Sequence, residues 1–151
     1  MPTEWHQFLA LYLYRRLAEH CDATAAAVAM ATPFRIQVAP GSVSGAGRDF
    51  LSREQFPVAS VFWRGADLVI EVISEDDPDR DLVTKRAEYA TTEIPEYCII
   101  DPRDESVTVL TLDRDSGEYD SGRRYACGET ADSGRLDGFA VNLSDLFAQP
   151  A

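Results

Sequence analysis

Six consecutive residues, Leu68-Val-Ile-Glu-Val-Ile73, constrain this chain more than any other stretch. Five of them are branched and apolar, which is how a strand buried on both faces reads, and such strands lie in sheets covered by helices. Glu71 breaks the run. A carboxylate in that setting costs on the order of several kcal/mol unless it is paired or bound to a cation. Fourteen residues on stands Lys85, the only lysine beside thirteen arginines, within a short helical segment, Asp81–Thr91. An acid in a buried strand and a lysine on the next helix suggest a metal-assisted hydrolytic site. The plainer alternative is that Glu71 pairs with a core arginine and that the lone lysine reflects an arginine-biased composition.

Length and composition predict one domain over residues 1–151, with a single core. The chain is 45% hydrophobic, too apolar to be disordered as a whole. No apolar run reaches the roughly 18 residues of a membrane span. The first residues, Met1-Pro-Thr-Glu-Trp-His-Gln7, lack the positive start of a secretory signal. Cys21, Cys98 and Cys127 are widely spaced, which counts against a disulfide framework or zinc site and predicts a cytoplasmic location. The net charge of −12 disfavours a large non-specific nucleic-acid footprint, because phosphate binding needs a positive surface. A local basic groove is still open, since Arg15, Arg16, Arg48, Arg53, Arg64, Arg80 and Arg86 all precede residue 90.

Trp5, Phe8, Leu9, Tyr12, Leu13 and Leu17 recur at helical spacing, with Thr3 as N-cap. His6 and His20 lie in no catalytic motif. Ala25–Met30 reads equally as helix end or strand. Phe34–Val38 alternates as a half-buried strand, Pro40-Gly41 stops it, and 41–47 reads as a flexible loop. Phe50–Phe62 resists assignment, although Val58–Phe62 has strand composition. Ala66–Ser74 is the buried strand, followed by an acidic loop in which Asp79 or Asp81 caps the next helix. Tyr97–Asp101 and Ser106–Leu112 read as a hairpin and, by their apolar content, as a sheet edge that needs cover. Asp113–Arg124 is a polar excursion, Tyr125–Thr130 an edge strand, and Leu143–Ala148 a last helical turn capped by Asn142 or Ser144.

The strand–helix–strand order (68–73, 81–91, 97–101) predicts a crossover with the helix packed on the sheet. Lys85 lies between Leu82 and Tyr89 on the packed side, so its stem can follow the core while its ammonium reaches the strand. Asp67, four residues before Glu71, shares that residue's side by strand alternation. Two carboxylates on one face can contribute to a hard-cation site.

Three blocks carry a resemblance: Trp63-Arg-Gly-Ala-Asp-Leu-Val-Ile-Glu-Val-Ile-Ser74, Arg80-Asp-Leu-Val-Thr-Lys-Arg-Ala-Glu-Tyr-Ala90 and Ile94-Pro-Glu-Tyr-Cys-Ile-Ile-Asp-Pro102. Together they resemble the Uma-two family of restriction endonucleases, within the PD-(D/E)XK nuclease superfamily. The likeness is close over residues 63–112 and weaker through Leu136–Leu143 and the first helix.

The resemblance implies an α/β fold, a restriction-endonuclease-like central mixed sheet flanked by helices. It implies a site of Asp, Glu and Lys that cuts nucleic acid, DNA foremost, with Mg²⁺ or Mn²⁺. Glu71 matches the metal-binding Glu. The usual Lys position, two residues after it, holds Ile73 here, and Lys85 on the following helix matches the family's lysine. The family's Pro-Asp pair is absent before Glu71. Asp49, in Gly47-Arg-Asp-Phe-Leu51, is the candidate, while another alignment puts Val58 there. The expected metal ligands are therefore Asp49 and Glu71, with Asp67 as a further, outer ligand, and Lys85 completes the catalytic set. Arg80 and Arg86 are candidates for phosphate contacts. The resemblance also makes a homodimer the expected assembly. The alternative from the missing Pro-Asp is a catalytically degenerate nuclease-fold protein that binds or dimerises.

Overall fold

The Leu68–Val72 strand lies in the interior of the sheet, as its unbroken apolar character requires. A computed structural model describes residues 3–24, 27–31, 35–39, 42–45, 48–52 and 66–149. In chain order these form α1 (Glu4–Thr24), β1 (Ala27–Ala31), β2 (Arg35–Ala39), β3 (Ser42–Gly45), β4 (Arg48–Ser52) and β5 (Leu68–Val72). A π-helical turn, Arg80–Lys85, runs directly into α2 (Arg86–Thr91). Then follow β6 (Glu96–Asp101), β7 (Ser106–Asp113), β8 (Glu118–Tyr119), β9 (Arg123–Tyr125), β10 (Thr130–Asp132), β11 (Ala140–Asn142) and α3 (Leu143–Leu146).

The main sheet is mixed, in the order β1-β4-β5-β6-β7-β8, with β9 also on β7. The β5–β6 pair is parallel and its other pairs are antiparallel. A parallel neighbour requires a crossover, and the π-turn with α2 supplies it. Leu68, Ile70, Val72, Cys98 and Ile100 face a core closed by α1 and by the segment from β10 to α3. Val69, Ile73, Tyr97 and Ile99 face a second core closed by Tyr89, Ile94 and Tyr119. Val69 and Val72 are both buried, so β5 is an interior strand covered on two sides.

Several expectations are corrected. Residues 42–45 are not loop but β3, which pairs with β2 in a separate two-stranded sheet. The ambiguous Ala25–Met30 stretch contains a strand, β1. Tyr97–Ile100 is not an edge, because β6 lies between β5 and β7, and β7 is itself paired with β8 and β9. The polar 113–124 stretch contains β8 and the first two residues of β9. The strand expected at 125–130 divides into the end of β9 and the start of β10, which pairs with β11. Val58–Phe62, and with it the alternative alignment at Val58, lies outside the described residues.

Chain ends of the helices follow local chemistry. The Thr3 hydroxyl accepts from the His6 amide at 3.1 Å, and the Asn142 side chain accepts from the Asp145 amide at 3.2 Å. Asp79 occupies the N-cap position of the π-turn but makes no side-chain cap bond; Asp77 instead accepts from the Arg80 amide. α2 closes in a Schellman arrangement. The Ile94 amide donates to the Tyr89 carbonyl and the Glu93 amide to that of Ala90. Glu93 takes φ 57° there, a left-handed position where glycine is the usual occupant.

Candidate active site

β5 carries Glu71 into the second core, and the crossover returns a lysine and a tyrosine to it. The Glu71 side chain is 5% exposed and that of Lys85 12%. Lys85 Nζ lies 3.0 Å from Glu71 Oε1. The Tyr89 hydroxyl donates to the same oxygen at 2.7 Å. A single buried carboxylate oxygen is thus met by one ammonium and one phenol, both charge-assisted bonds. The ammonium offsets the cost of burying Glu71, and among the described contacts the cationic partner is the lone lysine. Lys85 ends the π-turn, where the wider helical repeat changes which residues share a face, a distortion often found at functional sites.

Tyr89 is the residue that sequence reasoning missed. Its position on the packed side marks it as an apolar contact for the sheet, which it is, but its buried hydroxyl also needs a polar partner and finds Glu71. Its ring meets Tyr97 edge-on, with centroids 5.1 Å apart at 78°. Tyr97 leans in turn on Tyr119, at 6.0 Å. Tyr119 donates its hydroxyl to the Ile94 carbonyl at 2.7 Å, and burial raises its phenol well above the usual range. Only the Tyr pattern before Glu or Lys partners in space could have flagged this role, and spacing alone does not carry it.

The other expected site residues lie as follows. Asp49 is on β4, in register opposite Val69 and therefore diagonal to Glu71. Opposed positions of an antiparallel pair share a face, so the register sets position 49 on the row of Val69 and Glu71. Asp67 immediately precedes the first paired residue of β5, and Arg135 Nη2 reaches its Oδ1 at 3.0 Å. Arg135 adjoins Leu136, which packs in the first core. The same loop is held by Glu96, whose carboxylate accepts from Ser133 Oγ at 2.6 Å and from the Gly134 and Arg135 amides.

Arg86 has a structural task. Its guanidinium donates to the carbonyls of Tyr119 and Asp120, at 3.2 and 2.8 Å. Arg80 is exposed. His20 packs edge-on against Phe139.

Among the described residues, no three His, Cys, Asp or Glu side chains form a cluster that could hold a metal. The donor that Glu71 offers is a hard carboxylate oxygen, which suits Mg²⁺ or Mn²⁺ rather than a thiolate-seeking ion. No described helix is long and apolar enough to cross a membrane.

Comparison with known proteins bears on the fold and the family. A crystal structure described as a putative nuclease belonging to DUF820, from Anabaena variabilis, superposes with a TM-score of 0.81 at 14% identity. The match covers 97% of this chain and 82% of the other, and at that identity it speaks to the fold: the mixed sheet flanked by helices is a nuclease fold. No curated protein matches the sequence. The family profile Uma2, described as "Putative restriction endonuclease", matches residues 1–143. With nearly the whole chain matched, the protein belongs to the Uma2 putative restriction endonuclease family.

Proposed function

We propose that this chain, acting as one domain, is a divalent-metal-dependent endonuclease that hydrolyses phosphodiester bonds in nucleic acid, DNA foremost. The observation that carries this reading is the buried Glu71 carboxylate held by Lys85 at 3.0 Å, on a nuclease fold. Glu71 and Asp49 are the residues to hold Mg²⁺ or Mn²⁺. The register sets positions 49 and 71 diagonally on adjacent antiparallel strands, about 7–8 Å apart along the backbone, a gap that an ion shared by two carboxylates would bridge. When bound, the ion supplies Lewis-acid polarisation of a phosphodiester oxygen and a more acidic water.

The chain's own groups do the rest. Lys85 is a fixed cation that orients the hydrolytic water or stabilises the negative charge growing on the phosphoryl oxygens. The apolar walls around it, Val69, Ile73 and Tyr89, limit screening and strengthen that interaction. Asp67, engaged by Arg135 at 3.0 Å, is the further, outer ligand of the set and also fixes the start of β5. A twofold homodimer, implied by the family, would need a surface other than β6 and β7; a monomer by light scattering over a wide concentration range refutes it.

A plasmid-nicking assay tests the activity. Wild type is expected to nick supercoiled DNA with Mg²⁺ or Mn²⁺ and to stop with EDTA. Lys85→Ala should abolish cutting and retain metal binding, whereas Glu71→Ala should lose both. The missing Pro-Asp pair favours a second reading, a catalytically degenerate member that binds or dimerises. Wild type that neither binds the ions nor nicks supports that second reading.

A further inference from the structure

We infer that Tyr89 is a positioning residue for Glu71: its hydroxyl and the Lys85 ammonium meet at Oε1 and fix the rotation of the carboxylate, and with it the direction from which the group meets a cation. The inference rests on the metal-site reading above and names a residue that the reading does not require.

Three observations support it. First, Tyr89 stands in an apolar cluster where phenylalanine would fill the same space, yet it carries a hydroxyl with 0% of the residue exposed. That hydroxyl is directed at Glu71 Oε1 at 2.7 Å, a short charge-assisted bond. Second, Lys85 and Tyr89 grip the same oxygen from one helical segment, four residues apart. Two donors from a common backbone restrict carboxylate rotation more than either alone. Third, Tyr89 is itself braced in a closed circuit. It packs on Tyr97, Tyr97 on Tyr119, and the Tyr119 hydroxyl bonds Ile94, whose amide bonds the Tyr89 carbonyl. Arg86, next to Lys85, ties the same helix to the Tyr119 and Asp120 carbonyls.

The chemistry explains why a phenol suits this place. A second cation would cancel the negative charge that a metal needs. A neutral donor orients the carboxylate and adds no charge. Groups that hydrogen-bond a metal ligand set its orientation, and their loss typically lowers metal affinity about 10–100-fold.

The test is Mn²⁺ titration by calorimetry on wild type, Tyr89→Phe and Tyr119→Phe, with thermal unfolding recorded for each. Tyr119→Phe is the control, because it removes a buried hydroxyl from the same aromatic row that bonds only a backbone carbonyl in the described contacts. The expected result is Mn²⁺ affinity weakened about tenfold or more in Tyr89→Phe and unchanged in Tyr119→Phe. Equal affinity in wild type and Tyr89→Phe, with Mn²⁺ binding intact, overturns this inference alone. Absence of binding in wild type overturns it together with the metal-site reading. A second measurement needs no variant: the ¹³C resonance of Tyr89 Cζ should shift on saturation with Mg²⁺ while that of Tyr119 stays, and a Tyr89 resonance unmoved by bound Mg²⁺ counts against the inference.

Discussion

Lys85→Met separates the charge of the lysine from its packing. Methionine keeps an apolar stem of similar reach and removes the ammonium, so Glu71 loses its cationic partner at 3.0 Å. Both side chains are largely withdrawn from water, at 12% and 5% exposure, so solvent replaces little of the lost interaction. Stripping one partner from a buried pair typically costs about 3–5 kcal/mol. The Tyr89 hydroxyl still donates to Oε1, which places the expected loss near the lower end, about 3 kcal/mol. For a domain of this size that corresponds to a fall in Tm of about 6–12 °C. Adding Glu71→Gln removes the stranded charge and keeps an acceptor for Tyr89, so the double variant should recover most of the loss. Urea denaturation at pH 7 on wild type, both single variants and the double gives the coupling directly. A loss below about 1 kcal/mol in Lys85→Met, or additive effects in the double, refutes a buried, mutually dependent pair.

Two backbone positions give predictions of opposite sign. Glu93→Gly should stabilise the fold by about 1 kcal/mol, because it relieves a left-handed position at the end of α2. Gly122→Ala should destabilise it by more than that, since Gly122 has φ 79° and an added Cβ would lie 2.6 Å from Leu110 Cδ2; chemical denaturation reads both. The thiols predict an alkaline limb. Burial pushes Cys21 up to about 11 and raises Cys98 well above the ordinary range. The folded state therefore keeps protons that the unfolded chain releases near pH 8.5, so stability is full below about pH 8.5 and declines as pH rises toward 11. Replacing both cysteines with alanine should flatten that decline in pH-dependent unfolding. In the native protein, exposed Cys127 should react with a thiol reagent well before the two buried cysteines.

What the sequence makes legible follows from energetic necessity. A lone carboxylate in an apolar strand must be compensated, and the single lysine of the next helix lies on the packed side, so Glu71 and Lys85 could be paired before any coordinates. The two-sided burial of β5 was legible for the same reason. Segments whose strands are short or small-residue are harder to read. Ser42–Gly45 has too little side-chain contrast for alternation to show, and β8 and β9 are brief polar strands within a charged stretch. The edge assigned to Tyr97–Ile100 failed because apolar content reports burial but not what covers it, and here neighbouring strands do. The Asp67–Arg135 ion pair was not legible, because the two residues lie 68 positions apart in sequence. Tyr89 and Arg86 were hidden for a related reason: a tyrosine counts as a ring and an arginine as a surface charge until their long-range partners are known.

The central claim is that the Glu71 carboxylate holds a divalent cation beside Lys85. Crystals grown or soaked with Mn²⁺ and measured for anomalous scattering test it most directly. The account predicts an anomalous peak at about 2.0–2.2 Å from a Glu71 carboxylate oxygen, with a second carboxylate from position 49 on the same ion. A fully occupied Mn²⁺ peak elsewhere, or a Glu71 environment unchanged at saturating Mn²⁺, contradicts it.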